Sequence, residues 1–262
     1  MRQTKEATER RNDGTGMQHE PPHSFRPSVI ASQFRWELMV DSEGQSGVQN
    51  MAADAALLAE SNVTGQAFLR LYRFDPPCLS LGRNEPADQY DQAMIAQLGL
   101  DVVRRPTGGR AVWHQDEVTY AVAAPIAMFG GLRNAYRAIH ERLAAAIRSL
   151  GADATLARHQ PPPSSTLLHH PASCFAIPAG GEVLLAGRKL VGSAQVRKGD
   201  AFLQHGSILL GGTQEIVSTV SRERRAVSGE TTLSAVLGRP VTFEEVADAI
   251  VATWDLAPAD TP

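Results

Sequence analysis

Two cysteines raise the first question about chemistry, because they lie in different sequence contexts. Cys174 ends a proline- and serine-rich stretch, RHQPPPSSTLLHHPAS, that has no apolar periodicity, and this position favours a reactive thiol. The usual alternative is a buried structural role, which is our interpretation of Cys78 at the start of the strand-like run CLSLGR. Two cysteines do not make a disulfide framework, so the sequence predicts a protein of a reducing, cytoplasmic compartment.

Three histidines in the same stretch, His159, His169 and His170, raise the question of a metal site. Their spacing matches no standard set of metal ligands. A solvated loop explains them better, and the sequence predicts no metal site.

A glycine pair follows the strand-like segment LDVVRRP, in Thr107-Gly108-Gly109-Arg110. Paired glycines after a strand let the backbone approach a ligand and leave amide N–H groups free to point at it. A sharp bend with no ligand is the alternative. The segment has neither the spacing of a Walker phosphate loop nor that of a dinucleotide-binding fingerprint.

A second segment, GRKLVGSAQ, combines a lysine with small residues. Gly192, Ser193 and Ala194 in mid-strand leave room for a ligand beside the sheet, although a bulge or tight packing against a helix would use the same residues. Lys189 follows the turn glycine Gly187, a position typical of a solvated hairpin charge.

The elements that must position these segments alternate along the chain. The predicted strands are FRWELMV, AFLRLYRF, CLSLGR, LDVVRRP, VTYAVAAP, the hairpin EVLLAGRKLVGSAQVR turning at Ala186-Gly187, and AFLQHGSILL. The predicted helices are Asn50–Asn62 with Met51, Ala55, Leu58 and Ala59 on one face, Asp88–Leu98 ending at Gly99, Leu132–Leu150 as the longest, and three near Gln214, Leu233 and Glu244–Trp254. AFLRLYRF and CLSLGR are predicted to pair as a hairpin across Asp75-Pro76-Pro77. This sequence of elements combines hairpins with helices that lie between strands. It predicts an α+β fold, with a mixed or antiparallel sheet flanked by helices.

The domain organisation is predicted to be simple. Residues 1–28 are charged and contain prolines but no apolar core, which indicates a disordered leader rather than a secretory signal. Residues 29–256 are expected to form a single catalytic domain, and 257–262 a loose tail. The formal net charge of −3 argues against a nucleic-acid partner, and no apolar run is long enough to span a membrane.

Taken together, five segments resemble the biotin/lipoate protein ligase superfamily. They are NMAADAALL, LSLGR, RRPTGGRAVWH, Cys174, and GRKLVGSAQVRKGDAFLQHGSIL, in the order in which the family has them. Within that superfamily the chain is most similar to the cysteine-dependent octanoyltransferases, on two features: arginine after the glycine pair, and Ser173-Cys174-Phe175 upstream of the hairpin. It departs from their pattern in Gln115 after His114 and in the proline- and histidine-rich loop.

This resemblance implies an activity and its partners. The chain would move an octanoyl group from octanoyl-acyl carrier protein, through a thioester on Cys174, to a lysine of a lipoyl-carrier domain. Such domains occur in the glycine-cleavage H protein and in the acyltransferase subunits of 2-oxoacid dehydrogenases. Lys189 would favour the thiolate or stabilise the oxyanion, and no cofactor is expected.

The resemblance also implies which residues bind the substrate. They are Arg105, Thr107, Gly108, Gly109, Arg110, His114, Gly192, Ser193, Ala194, Gln195 and His205. Because carrier proteins are usually acidic, a basic rim is expected from Arg104, Arg105, Arg110, Arg197 and Lys198, although ordinary surface charge would look the same.

Three other functions remain open at this point. An ATP-dependent lipoate–protein ligase would use ATP and free lipoate, with Lys189 on the carboxylate and phosphate and Cys174 idle. An amidotransferase would move octanoyl between carrier domains through the same cysteine. A non-catalytic binder of lipoyl domains would be expected to lack Cys174 or Lys189, and both are present.

Overall fold

The computed structural model describes residues 36–158, 180–222 and 229–254. The predicted leader, the predicted tail, Cys174 and the three loop histidines therefore lie outside the described residues. Among the described helices, none combines the length and the apolar composition that crossing a membrane requires.

The described residues form eleven strands and six α-helices. The strands are β1 Trp36–Gln45, β2 Ala67–Phe74, β3 Cys78–Leu81, β4 Asp101–Arg104, β5 Val112–His114, β6 Glu117–Pro125, β7 Ala154–Leu156, β8 Val183–Leu185, β9 Arg188–Lys189, β10 Val191–Lys198 and β11 Ala201–Leu209. The helices are α1 Gly47–Thr64, α2 Gln92–Gln97, α3 Leu132–Ser149, α4 Glu215–Thr219, α5 Leu233–Leu237 and α6 Phe243–Thr253.

A central sheet with the strand order β1-β2-β6-β11-β10 organises the molecule. Its pairs are antiparallel except for β1 and β2, which run parallel. Two three-stranded sheets, β4-β3-β5 and β7-β8-β9, flank it. The predicted α+β class with a mixed sheet and flanking helices is confirmed.

The central sheet is buried on both faces, and alternate residues of each strand supply the two cores. In β2, Phe68 and Tyr72 pack with Met51 and other residues of α1, whereas Leu69 and Leu71 pack on the opposite side with residues of α3 and α6. We call these sides the α1 face and the α3 face.

Helix α1 begins three residues earlier than the sequence predicts, because Ser46 and Gln49 form a reciprocal capping box. It reaches 18 residues, the same length as α3, so the prediction that α3 is the longest helix is wrong. The predicted buried face is also partly wrong. Ala55 is exposed, and Asp54 is buried in its place.

The predicted hairpin of AFLRLYRF and CLSLGR is wrong. The first segment, β2, pairs with β1 and β6 in the central sheet, whereas the second, β3, pairs with β4 and β5 in a different sheet. Pro76 and Pro77 lie between them and have no N–H groups to donate to a ladder. The chain therefore changes sheets at this point instead of folding back on itself.

The helix predicted over Asp88–Leu98 is divided in two. A short 3-10 turn at Ala87–Gln89 is followed by α2, because the Asp91 side chain accepts hydrogen bonds from the backbone N–H groups of Ala93 and Met94. This cap starts a new helix at Gln92. The three predicted C-terminal helices are confirmed as α4, α5 and α6.

The predicted turn at Ala186-Gly187 is confirmed, and it sets the position of Lys189. Both residues have positive φ, 51° and 73°, as a two-residue type I′ turn requires. The turn joins β8 to the two-residue β9, after which the chain passes into β10 of the central sheet.

Candidate functional site

A narrow cavity lies on the α1 face, between the central sheet and the β4-β3-β5 sheet. The volume inside it that is open to the centre of a water-sized sphere is about 20 Å³. It is lined by Met51, Tyr72, Ser80, Arg105, Val112, His114, Thr119, Gly192, Ser193, Ala194, His205, Gly206 and Ser207. A concave site with mainly apolar walls and a few polar groups is typical of a small-ligand pocket.

The glycine-pair loop is held in one conformation by the buried side chain of Arg105. Its guanidinium donates to the carbonyl oxygens of Ser80 (2.9 Å), Gly108 (2.9 Å) and Arg110 (2.6 Å). Gly109 has a φ of 93°, which favours glycine. A Cβ on Gly82 would collide with the Gly109 carbonyl oxygen, so the glycine of the LSLGR segment lets the loop pack closely against β3.

The threonine of this loop is tied to helix α1 through a histidine. Thr107 Oγ1 lies 2.6 Å from His205 Nε2, and His205 Nδ1 lies 2.7 Å from Asp54 Oδ2. Asp54 is fully buried and also accepts hydrogen bonds from Arg70 and from the Tyr72 hydroxyl. Burial and the Asp54 carboxylate both raise the pKa of Tyr72, which keeps its hydroxyl protonated as a donor. The arrangement fixes the loop rather than leaving it free to move.

A second histidine, His114, has an equivalent arrangement on the same cavity. Its Nε2 lies 2.7 Å from Ser80 Oγ, and its Nδ1 lies 2.6 Å from Glu117 Oε1. Glu117 also accepts hydrogen bonds from Thr119 and Ser207. Each of these two imidazoles therefore lies between a hydroxyl group and a buried carboxylate.

The α3 face has a different polar cluster. Ser193 Oγ lies 2.8 Å from His140 Nε2 and 2.7 Å from the Tyr120 hydroxyl. Burial lowers the pKa of His140 to about 3, and the charge of Lys189 contributes in the same direction, against a hydrogen bond with the Tyr136 backbone. His140 is therefore neutral at physiological pH. Ser193 belongs both to this cluster and to the cavity wall.

Lys189 lies beside this cluster, not in solvent. Its side chain is 2% exposed, and its Nζ donates to Glu182 Oε1 at 2.8 Å. The Tyr136 hydroxyl of α3 donates to the same carboxylate oxygen at 3.3 Å. The alternative interpretation of Lys189 as a solvated hairpin charge is wrong, because the two-residue strand β9 directs it inward.

The segment that carries Cys174 starts and ends beside Glu182. The Ala157 N–H donates to the Glu182 carbonyl oxygen, and the Gly181 N–H donates to the Ala157 carbonyl oxygen, both at 2.8 Å. Ala157, Gly180 and Gly181 border a groove on α3 together with Tyr136 and Gln195. Cys174 itself lies outside the described residues.

The predicted substrate-binding residues are placed in three groups. Arg105, His114, Gly192, Ser193, Ala194 and His205 line the cavity. Thr107, Gly108, Gly109 and Arg110 form the loop beside it, with Thr107 hydrogen-bonded to His205. Gln195 points instead to the α3 face, where it donates to Gln204 Oε1 and the Leu132 carbonyl oxygen.

The structure adds polar residues that the motifs did not indicate: Asp54, Ser80, Glu117, His140 and Glu182. All are buried. Only Asp54 carried a usable signal, a carboxylate at a helical spacing of three from Met51, on the face that the apolar residues mark. Ser80 and His140 lie far in sequence from the side chains they contact, whereas Glu117 and Glu182 lie within seven residues of His114 and Lys189 but in no motif that marks them.

Cys78 is buried, as the interpretation of it as a structural cysteine predicts. Burial raises the pKa of its thiol, and the Asp101 carboxylate raises it further. Among the described residues, no group of three His, Cys, Asp or Glu side chains is arranged to hold a metal ion.

The expected basic rim is only partly at the surface. Arg105 is buried and Arg110 is half-buried, whereas Arg104 is exposed but donates from its guanidinium to the carbonyl oxygens of Gly82, Arg83 and Glu85. Arg197 and Lys198, at the end of β10, are exposed.

The sequence model of the lipoyl protein ligase A/B catalytic domain matches residues 46–255, which includes every element of the site described above. The chain belongs to this family.

Relatives within the lipoyl protein ligase A/B family include two named Octanoyltransferase LipM. The one from Kyrpidia tusciae is 39% identical over 235 residues, covering 82% of this chain and 84% of the relative. The one from Symbiobacterium thermophilum is 34% identical over 242 residues, covering 84% and 85%.

Solved structures of the family share the fold. A lipoate-protein ligase A bound with ATP superposes with a TM-score of 0.66 at 19% identity, over 84% of this chain and 83% of that one. A putative lipoate protein ligase from T. acidophilum with bound lipoic acid gives a TM-score of 0.66 at 19% identity, over 84% of each chain. At this identity the likeness concerns the fold, and it confirms the predicted ligase-like architecture.

Proposed function

We propose that this protein is an octanoyltransferase that moves an octanoyl group from octanoyl-acyl carrier protein to a lysine of a lipoyl-carrier domain, through a thioester on Cys174. The observation that carries the proposal is the similarity to octanoyltransferases over more than four fifths of the chain. The chain also has both Cys174 and Lys189, which a non-catalytic relative would not need.

In the first half of the reaction, the Cys174 thiolate attacks the carbonyl carbon of the acyl carrier thioester. The bond between that carbon and the carrier sulfur breaks, and the carrier thiolate leaves and takes up a proton. One thioester replaces another, so the free-energy change is small and no ATP is consumed.

In the second half, the neutral ε-amine of the carrier lysine attacks the same carbonyl carbon. The C–S bond to Cys174 breaks, the nitrogen loses a proton, and the thiol is regenerated. The product is an amide, which is more stable than a thioester, and this difference drives the transfer without a cofactor.

The placement of Lys189 supports the first step. A free thiol has a pKa of about 8.5, and a nearby cation favours its thiolate form. The described ends of the Cys174 segment, at Ala157 and Gly181, are held beside Glu182, the residue that binds the Lys189 ammonium. In the proposed reaction, this ammonium favours the Cys174 thiolate or stabilises the oxyanion of the tetrahedral intermediate.

The apolar lining of the cavity on the α1 face supports an acyl chain as the substrate. Met51, Val112 and the small residues Gly192 and Ala194 give it apolar walls. Each methylene group that leaves water contributes about 0.8 kcal/mol, so eight carbons provide enough affinity to select a chain by length.

The proposed protein partners are acyl carrier protein as the donor and lipoyl-carrier domains as acceptors, including the glycine-cleavage H protein and the acyltransferase subunits of 2-oxoacid dehydrogenases. Arg197 and Lys198, exposed at the end of β10, supply positive charge for an acidic partner. Such charges mainly raise the rate at which the two proteins associate, and this effect is lost at high salt.

The test is the intact mass of the protein after incubation with octanoyl-acyl carrier protein and no ATP. We expect one octanoyl adduct on the wild type and on Cys78→Ala, and none on Cys174→Ala. Adding a lipoyl domain should discharge the adduct and acylate the domain.

Two results would favour other functions. Modification of the lipoyl domain that requires ATP and free lipoate, and that survives Cys174→Ala, would overturn the proposal in favour of a ligase. An adduct that forms from an octanoylated carrier domain but not from octanoyl-acyl carrier protein would favour the amidotransferase.

A further inference from the structure

The cavity on the α1 face is too small to hold an acyl chain without a movement of its walls. The volume open to the centre of a water-sized sphere is about 20 Å³, which accommodates about one water molecule. Its walls are nevertheless mainly apolar, and such a surface suits a hydrocarbon chain better than water. At least one lining side chain must therefore move when a chain of several carbons enters.

Hydrogen bonds restrain the polar side chains that line the cavity. Each of them is bonded to a buried partner, so its rotation would break at least one hydrogen bond in the core. These side chains are Tyr72 and His205 on Asp54, His114, Thr119 and Ser207 on Glu117, Arg105 and Ser80 on each other, and Ser193 on His140.

Among the described residues that line the cavity, two side chains remain that could make room by moving. Gly192, Ala194 and Gly206 have nothing larger than a methyl group to rotate. Val112 lies in β5 and is branched at Cβ, which makes its first side-chain torsion stiff. Met51 is unbranched and has three rotatable bonds. Met51 is therefore the lining side chain that can move at the lowest cost.

The backbone that carries Met51 is fixed on both sides. The side-chain amide of the preceding residue, Asn50, is buried and donates to the carbonyl oxygens of Gln45 (2.9 Å) and Arg73 (3.1 Å). Three residues after Met51, the Asp54 carboxylate accepts hydrogen bonds from two side chains of β2. The first turns of α1 are thus tied to the sheet, so Met51 makes room by changing its rotamer and not by a shift of the helix.

We infer that Met51 is the specificity-determining residue of the acyl cavity: its side chain rotates to admit the chain, and the space that it still occupies sets the longest chain that fits. This assignment rests on the proposed function for the nature of the chain, and it adds the residue that selects the length. Met51 is not expected to touch the reacting carbonyl carbon.

The first experiment requires no acyl transfer. It measures the binding of saturated fatty acids of six to fourteen carbons by isothermal titration calorimetry. Affinity should rise about fourfold for each added methylene group until the chain fills the cavity, and should then stop rising. Met51→Ala removes the thioether part of the side chain from the cavity wall, so this limit should move up by about two carbons.

Leu57→Ala is the matched control for Met51→Ala. Leu57 lies on the same helix and is as buried as Met51, since each is 7% exposed, but it does not line the cavity. It should lower Tm as Met51→Ala does and leave the chain-length limit unchanged. An unchanged limit in Met51→Ala, the same shift in Leu57→Ala, or no binding of any acid by the wild type would overturn the inference.

Met51→Ile keeps the core filled, so it decides the question even if Met51→Ala fails to fold. A side chain branched at Cβ has one strongly preferred rotamer in a helix and does not rotate as methionine does. We expect octanoic acid to bind about 10-fold more weakly than to the wild type, since an unfavourable rotamer costs about this much. Binding at wild-type affinity would overturn the rotation on which the inference depends.

The second experiment supplies octanoyl- and decanoyl-acyl carrier protein at equal concentrations and measures the adducts by intact mass. The ratio of decanoyl to octanoyl adduct should rise about 15-fold in Met51→Ala, which is about fourfold for each of two methylene groups, and should stay at the wild-type value in Leu57→Ala. A wild-type ratio in Met51→Ala would overturn the inference. Absence of any adduct on the wild type would instead refute the proposed function, and the binding limits would still decide whether Met51 sets the chain length.

Discussion

The two faces of the central sheet use histidine in different ways. On the α1 face, His205 and His114 each lie between a hydroxyl group and a buried carboxylate. On the α3 face, His140 contacts the Ser193 hydroxyl, and within the described part of the chain no carboxylate is hydrogen-bonded to it, whereas Glu182 pairs with Lys189. The α1 face therefore keeps its hydrogen bonds in a fixed pattern, whereas the α3 face holds an ammonium next to a histidine that stays neutral. We expect the first to shape the cavity and the second to take part in the chemistry.

The largest effect is expected from Asp54→Asn, which removes the buried carboxylate of the α1 face. The change leaves Arg70 and His205 without their shared carboxylate, although Arg70 keeps Asp41. We expect the free energy of unfolding to fall by about 3 kcal/mol, as when one partner of a buried ion pair is removed. Chemical denaturation measures this loss, and the rate of octanoyl transfer by the folded fraction should stay within a few-fold of wild type.

Tyr72→Phe is the matched control for Asp54→Asn, because it removes one hydrogen bond to the same carboxylate and no charge. Its cost should be near 1 kcal/mol. If Asp54→Asn abolished transfer while the protein stayed folded, the α1 face would belong to the chemistry and the comparison would fail.

The α3 face predicts a dependence of stability on pH. Burial holds the pKa of His140 at about 3, below its unfolded value of about 6.5. The unfolded chain therefore binds more protons between these values, and stability is complete above pH 6.5 and is lost as the pH falls towards 3. Between pH 6.5 and pH 5 this group should cost about 2 kcal/mol.

Denaturation of the wild type and of His140→Gln at pH 5 and pH 7 isolates this contribution. Glutamine can still hydrogen-bond to Ser193 but does not titrate, so the loss at pH 5 should be smaller in the variant. Equal losses in both proteins would assign the effect to other groups.

The smallest effect is expected at Cys78, which packs in the core of the α1 face. Burial raises the pKa of its thiol, so iodoacetamide should not label it in the folded protein. Cys78→Ala should cost about 1 kcal/mol of stability and leave octanoyl transfer unchanged. Peptide mapping after alkylation measures the labelling of Cys78. Labelling without unfolding would show that the α1 face opens.

The sequence predicted the parts of the fold that depend on local patterns. The turn at Ala186-Gly187, helix α3 and the strand with His205 follow from turn chemistry and apolar spacing over a few residues. The prediction of a hairpin after Phe74 was wrong because two prolines can equally mark a tight turn or a change of sheet. Which of the two occurs depends on the strands with which β2 and β3 pair, and these are distant in sequence.

The candidate site also contains some residues that local sequence patterns reveal and others that they do not. Lys189 and the glycine pair could be identified because they stand in short motifs with known chemistry. Their partners could not, since Asp54 meets His205 only when α1 packs on β11. Glu182 is close to Lys189 in sequence, but nothing in the spacing shows that both side chains turn inward.

The hydrogen bonds that join Ala157 to Gly181 and Glu182 fix two points of the chain that are 24 residues apart in sequence. In general, doubling the length between two fixed ends costs only about 0.6 kcal/mol in chain entropy. Insertions between these two points should therefore change the free energy of unfolding only slightly, as long as the three backbone partners stay in place.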